Sequence, residues 1–328
     1  MKKRLSFTMA EILISLTIIG IIAAITLPSL RANINEKTWA TQRKALYSRM
    51  SQAISMMPSL NGYGDFQGEW DEDVVTPTVD TAAARFVTDG LSKVLQINNI
   101  CTIPMNTSSE NARKELKKCC VSEKIKSMTN SKIDFPTRFS ELNERFTKKI
   151  EGWDHNDQKN IDTIAAAFEL NSGESVALFY NPRCLNDDNI SSYTYNAQIV
   201  MCANFIYDLN GITGPNKLGR DIGFMTAIYP VDSVVVMPIV LPNHTTKVNS
   251  NDVGSACTHM DKNSRIPNIE ELLSIFYNMH LIGMNESKWY WSSSWWNSNT
   301  RKLIRFDWGV AGAGGSEGEK YWVQCVKR

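Results

Sequence analysis

The chain has 328 residues, 43% of them apolar, and a formal net charge of +1, which leaves room for two modest domains beyond a helical anchor. With charges so nearly balanced, no nucleic acid or anionic surface is expected as a partner from composition alone. Seven cysteines, four histidines and no Cys-x-x-Cys spacing argue against a zinc cluster.

The first element is strongly apolar. Lys2, Lys3 and Arg4 lead to Phe7, Thr8, Met9, Ala10 and Glu11, and an uncharged run from Ile12 to Leu27 then ends at Pro28. Such a run matches the roughly 20 residues that one helix needs to span a bilayer. The basic residues before it predict a cytoplasmic start, with the rest of the chain outside. Glu11 stands apart, because a carboxylate in lipid costs about 2.5–3.5 kcal/mol and calls for a partner charge. A signal peptide would have a shorter apolar core followed by a small-residue cleavage site, and Leu27-Pro28-Ser29 supplies none. An external location and seven cysteines together predict disulfides.

This segment resembles the amino terminus of type IV prepilins and type II secretion pseudopilins. In that family a prepilin peptidase cuts before a Phe, methylates the new terminus, and a Glu is the fifth mature residue. The resemblance places the cut between Ser6 and Phe7 and makes Glu11 the fifth residue, with Gly20 and Pro28 at family positions. Ser6 departs from the family, which has Gly there. What is implied is assembly through Phe7, Glu11, Gly20 and Pro28, with Glu11 meeting the Phe7 amine of a neighbouring subunit. The implied partners are other pilin or pseudopilin subunits, the peptidase and the membrane. The implied organisation is a leader (1–6), a transmembrane and assembly helix (7–30) and a continuation of a spine helix (31–58).

In that continuation Trp39, Leu46, Tyr47, Met50, Ala53, Ile54 and Met57 recur at three- and four-residue steps, and Pro58, Gly62 and Gly64 end it. A helix from Phe7 to Met57 would be about 75 Å long, and its amphipathic half should pack under a sheet. Asp80–Leu95, Ser109–Met128 and Phe135–Ile150 read as further helices. Cys101 lies 18 residues before Cys119, a convenient loop for a disulfide, although the adjacent Cys120 leaves open which of the two pairs.

Residues 161–240 read as sheet. Ile161–Leu170 alternates, Asn171-Ser172-Gly173-Glu174 turns, and Ser175–Tyr180 returns, a hairpin signal. Gln198–Tyr207 is a third strand, and Cys184 pairs plausibly with Cys202. Asp208, Asn210 and Asp221 then punctuate a loop that resembles the one closing the sheet in many pilin-like proteins. Its carboxylates and carbonyls are a candidate calcium set, and Asn-Gly and Gly-Pro-Asn are also turn formers in their own right. Residues 59–240 thus form the expected globular domain. Residues 241–254, polar and rich in breakers, read as a linker.

Six of the nine Trp fall in 255–328. Asn268 should cap a helix carrying Ile269, Leu272, Leu273 and Phe276. Trp289–Ser294 and Lys320–Arg328 flank a glycine run, Gly309–Gly318, read as a loop. The order Arg265-Ile266-Pro267 before Glu270-Glu271-Leu272, then Tyr290-Trp291-Ser292-Ser293, then Tyr321-Trp322-Val323-Gln324-Cys325-Val326 resembles the bacterial C-type-lectin-like domain that ends collagen-like adhesins. It implies a Cys257–Cys325 bridge, worth about 4 kcal/mol by loop entropy. It also implies a recognition surface for a glycan, a cell surface or a secreted protein, for which Trp295, Trp296, Asn297 and Asp307 are the candidates. Buried Trp as core is the competing reading.

The expected fold is therefore α+β: a long amino-terminal spine helix packed on an antiparallel sheet, then a small lectin-like domain. The expected role is a structural subunit of a type IV pilus or type II secretion pseudopilus with a distal adhesion or recognition domain, and not an enzyme. The alternatives are an unprocessed membrane-anchored surface protein, or an anchored enzyme with the fold of formylglycine-generating oxidases.

Overall fold

A computed structural model describes residues 9–57, 84, 86–103, 107–142, 166–180, 200–229, 235–239, 245–249, 252–258, 264–284, 288–295, 297, 300–306, 310–313 and 320–327. Ser6, Phe7, Cys184, Trp296 and Asp307 lie outside the described residues, as do the side chains of Glu11 and Pro28.

A continuous helix, α1 (Met9–Met56), begins the described chain. It crosses a division: residues 1–45 form one compact unit and residues 46–328 another. Only Leu46–Met56, about three turns, belongs to the second unit. There the amphipathic period is visible, with Leu46, Met50, Ala53 and Ile54 buried while Ser48, Gln52 and Ser55 are exposed.

The second unit is mostly sheet. Six strands, β1 (Ile97–Thr102), β4 (Ala166–Leu170), β5 (Ser175–Tyr180), β6 (Val200–Asp208), β7 (Ile222–Tyr229) and β8 (Val235–Ile239), pair antiparallel in that order. Every residue of β5 is buried, so the sheet is covered on both faces. A small hairpin of β2 (Lys124–Lys126) and β3 (Lys132–Asp134) lies beside it, with helices α2 (Ser109–Lys117) and α3 (Phe139–Leu142). The carboxy-terminal part supplies β10 (Ser264–Arg265), α4 (Ile269–Tyr277), β11 (Trp289–Trp295), β12 (Arg301–Arg305), β13 (Val310–Ala313), β14 (Lys320–Gln324) and β15 (Val326–Lys327). Together with β9 (Thr245–Asn249), four of these strands make a five-stranded sheet in the order β13-β12-β11-β14-β9, while β10 pairs with β15.

A shared cluster joins these parts. Ala177, Phe179, Ile206, Phe224 and Ile228 of the six-stranded sheet share a buried cluster with Leu272, Ile275 and Phe276 of α4 and with Tyr290, Ile304, Phe306 and Val326. At its centre is a polar clasp. Asn204 and Asn278, both fully buried, exchange amide hydrogen bonds of 2.7 and 3.0 Å. Thr226 donates to Asn204 Oδ1, and Asn278 Nδ2 also donates to the Ser274 carbonyl.

The fold expectation is overturned here. The protein is a mixed α/β structure dominated by sheets, not an α+β molecule organised on a spine helix. Residues 1–45 stand as their own unit, and the last 75 residues contribute both to the main sheet's core and to a second cluster of Val253, Cys257, Ile266, Trp291, Leu303, Val323 and Cys325. Three local expectations change with it. The helix foreseen over Ser109–Met128 stops at Lys117, where Cys119 turns into a disulfide and Cys120 takes a positive φ of 58°. Within 241–254, read as linker, β9 forms an edge of the five-stranded sheet. Within the glycine run read as a loop, β13 forms the other edge.

Candidate functional site

The amino-terminal unit presents apolar surface. Leu13, Ile14, Leu16, Ile18, Ile19, Ile21 and Ile22 are all more than half exposed. Gly20 sits among them with nothing within 4 Å of a notional Cβ. Thr17 returns its hydroxyl to the Leu13 carbonyl at 2.8 Å, which satisfies it within the helix. Among the described residues no helix is long and apolar enough to cross a membrane.

The second feature is the loop between β6 and β7. The sequence expectation named Asp208, Asn210 and Asp221; the structure brings these together and adds Asn216. Asp208 ends β6 with its side chain buried, and its Oδ1 accepts the Asn210 backbone amide at 3.2 Å. Asp221 is fully buried, and its two oxygens accept the backbone amides of Asn216 and Lys217 at 2.7 and 2.8 Å. Asp221 therefore ties the loop shut, each of its oxygens holding one backbone amide. The Asn210 amide nitrogen donates to the Gly214 carbonyl and that of Asn216 to the Ile212 carbonyl, both at 3.3 Å. An NH₂ held on a carbonyl fixes which end of each amide is oxygen. Three buried oxygens are then left without a donor: Asp208 Oδ2, Asn210 Oδ1 and Asn216 Oδ1.

Orphaned buried acceptors are rare and costly. Burial, reinforced by the Asp221 charge and opposed by the Asn210 amide, pushes the Asp208 carboxyl up to about 8. Such a set lacks positive charge. A hard cation takes oxygen ligands from carboxylates, amides and backbone carbonyls, the chemical types left without donors here. No group of three His, Cys, Asp or Glu able to hold a metal occurs among the described residues. Asn216 was missed because Gly214-Pro215-Asn216 reads as a turn, and nothing in its spacing from Asp208 marks it as a ligand.

The cysteines resolve as follows. Cys101 bonds to Cys119, at 2.11 Å, and Cys257 bonds to Cys325, at 2.05 Å. Cys202 is disulfide-bonded, and its expected partner Cys184 lies outside the described residues. Cys120 is free. Burial, with the Glu169 and Asp208 charges behind it, pushes its thiol up, which disfavours the thiolate that redox chemistry would need.

Of the proposed recognition residues, Trp295 is exposed, with the Arg301 guanidinium stacked 4.0 Å from its ring centroid. Asn297 is exposed as well, and its Oδ1 accepts the Thr300 amide at 2.8 Å in the β11–β12 turn. Trp291 is core: it is 1% exposed and donates its indole N–H to the Val248 carbonyl. No protein-family model and no curated protein matches the chain.

Proposed function

We propose that this chain is a structural subunit of a type IV pilus or type II secretion pseudopilus. In this reading the prepilin peptidase cuts between Ser6 and Phe7, and subunits assemble through the apolar amino-terminal segment. Before assembly the chain sits as a single-pass protein in the inner membrane with its body outside the cytoplasm. After assembly it is in the pilus or at the cell surface, where its carboxy-terminal part serves adhesion or recognition. The observation that carries the reading is the row of exposed Leu and Ile from Leu13 to Ile22 in a unit apart from the body. Apolar surface of that extent asks to be covered by lipid or by like helices. Intact mass and amino-terminal sequencing of the membrane fraction test it. A chain beginning at N-methylated Phe7 supports the proposal, and one still beginning at Met1 overturns it.

We also propose that the β6–β7 loop holds calcium through Asp208, Asn210 and Asn216, on the strength of their three orphaned oxygens. When bound, the ion supplies the positive charge that lets Asp208 ionise. Asp221 keeps the loop closed around it through the Asn216 and Lys217 amides. Calorimetric titration of chelator-treated protein should show one site, lost in Asp208→Asn. An identical titration in that variant would sink the assignment.

A further inference from the structure

The face of the small β2–β3 hairpin carries a row of lysines. Lys126 is the cross-strand partner of Lys132, and an isolated parallel bridge makes Lys217 its neighbour on the other side. Two backbone hydrogen bonds fix that bridge, Lys126 N–H to the Asn216 carbonyl at 2.7 Å and Leu218 N–H to the Lys126 carbonyl at 2.9 Å. Ile125 and Leu218 point into the core, each nearly fully buried. The alternation of extended backbone therefore turns Lys126, Lys132 and Lys217 outward in one row.

Like charges placed directly opposite one another across a sheet are destabilising, and here none is offset. Lys114, Lys117, Lys118 and Lys124 each face a carboxylate, Glu110, Glu123, Glu115 and Asp134 respectively. Lys126, Lys132 and Lys217 have no ion pair or hydrogen bond from their side chains among the described residues. Both oxygens of the nearby Asp221 are engaged by backbone amides. The turn joining the lysine-bearing strands adds hydroxyls. Ser127 and Thr129 lie 2.9 Å apart and Thr129 and Ser131 3.4 Å apart, over a backbone turned by Asn130 at φ 68°.

We propose that this face binds a linear acidic polysaccharide. The lysines supply rotatable point charges for carboxylates along the polymer, and the Ser127, Thr129 and Ser131 hydroxyls exchange hydrogen bonds with sugar hydroxyls. A single-stranded nucleic acid fits less well. Its binding sites stack bases on aromatic rings, and neither 124–134 nor 214–221 contains an aromatic residue. The site adjoins the proposed calcium loop through the Lys126–Asn216 backbone bond, but its lysines are none of that loop's ligands, and binding is therefore tested with and without chelator.

The test uses the full chain in detergent micelles and immobilised polygalacturonate as the probe. The wild type should bind. The triple variant Lys126→Gln, Lys132→Gln, Lys217→Gln should bind about tenfold more weakly or worse, from the loss of three modest charge contacts. The charge-matched control Lys114→Gln, Lys117→Gln, Lys118→Gln should bind like the wild type. The first variant should melt no lower than the wild type, because it only relieves repulsion. No binding by the wild type, equal losses in both triple variants, or displacement by oligo-dT at lower concentration than by free polygalacturonate would overturn the proposal.

Discussion

Asp208 stores a protonation preference that a melting experiment can read. Its folded-state value of about 8 stands above the ordinary 3.8, so near neutral pH the folded protein without calcium keeps a proton that the unfolded chain has lost. The stability this group contributes is complete below about pH 4 and falls as pH rises to about 8, at about 1.4 kcal/mol per unit. In chelator, the melting temperature of the wild type should therefore decline across that window. Asp208→Asn should flatten the decline, and added calcium should flatten it in the wild type alone. A second residue-scale test concerns Gly223, which lies under the Tyr207 ring of the adjacent strand, so that a Cβ there would come within 2.2 Å of the hydroxyl. Gly223→Ala must displace Tyr207, and a loss of about 1–3 kcal/mol in denaturant unfolding is expected. At the clasp, Asn278→Leu leaves the buried Asn204 amide without its partner. It should cost about 1–3 kcal/mol by the same measurement, whereas a surface change such as Gln52→Ala should cost nothing measurable.

At the scale of elements, the sequence was legible where local signals and tertiary packing agree. Ser175–Tyr180 is a strand with the foreseen bounds, because a turn and a continuous apolar run both mark it. Asn268 caps α4 as expected, and the structure completes the box: Asn268 Oδ1 accepts the Glu271 amide while Glu271 accepts the Asn268 amide. Asn268→Ala should lower stability by about 1 kcal/mol in thermal unfolding. The Cys257–Cys325 bridge was readable through the lectin-like resemblance, while spacing narrowed the partner of Cys101 to Cys119 or Cys120 and only the structure chose Cys119. What stayed hidden had physical reasons. β9 is Thr-Thr-Lys-Val-Asn, an edge strand whose polar alternation looks like a linker until β14 pairs with it. β13 is Val-Ala-Gly-Ala, three of its four residues glycine or alanine, and pairs beside β12. The three lysines were invisible as a group, since Lys217 lies 85 residues beyond Lys132 and only the Lys126–Lys217 bridge joins them. Asn216 was hidden for a related reason, because an orphaned oxygen is a property of packing and not of spacing.

For the whole molecule, the division at Ala45 makes a prediction about truncation. A chain beginning at Leu46 keeps the buried Leu46, Met50, Ala53 and Ile54 and the Arg49–Glu174 ion pair. It should melt within a few degrees of the full chain and no longer need detergent. A collapse of the transition would mean that residues 1–45 are part of the folding unit after all. The fused core carries a different consequence, one of timing. Ile228 and Phe224 wait for Phe276, Phe306 and finally Val326 to cover them. At about 5–20 residues per second on the ribosome, that wait lasts on the order of ten seconds. During it the sheet shows an uncovered apolar face to chaperones and proteases.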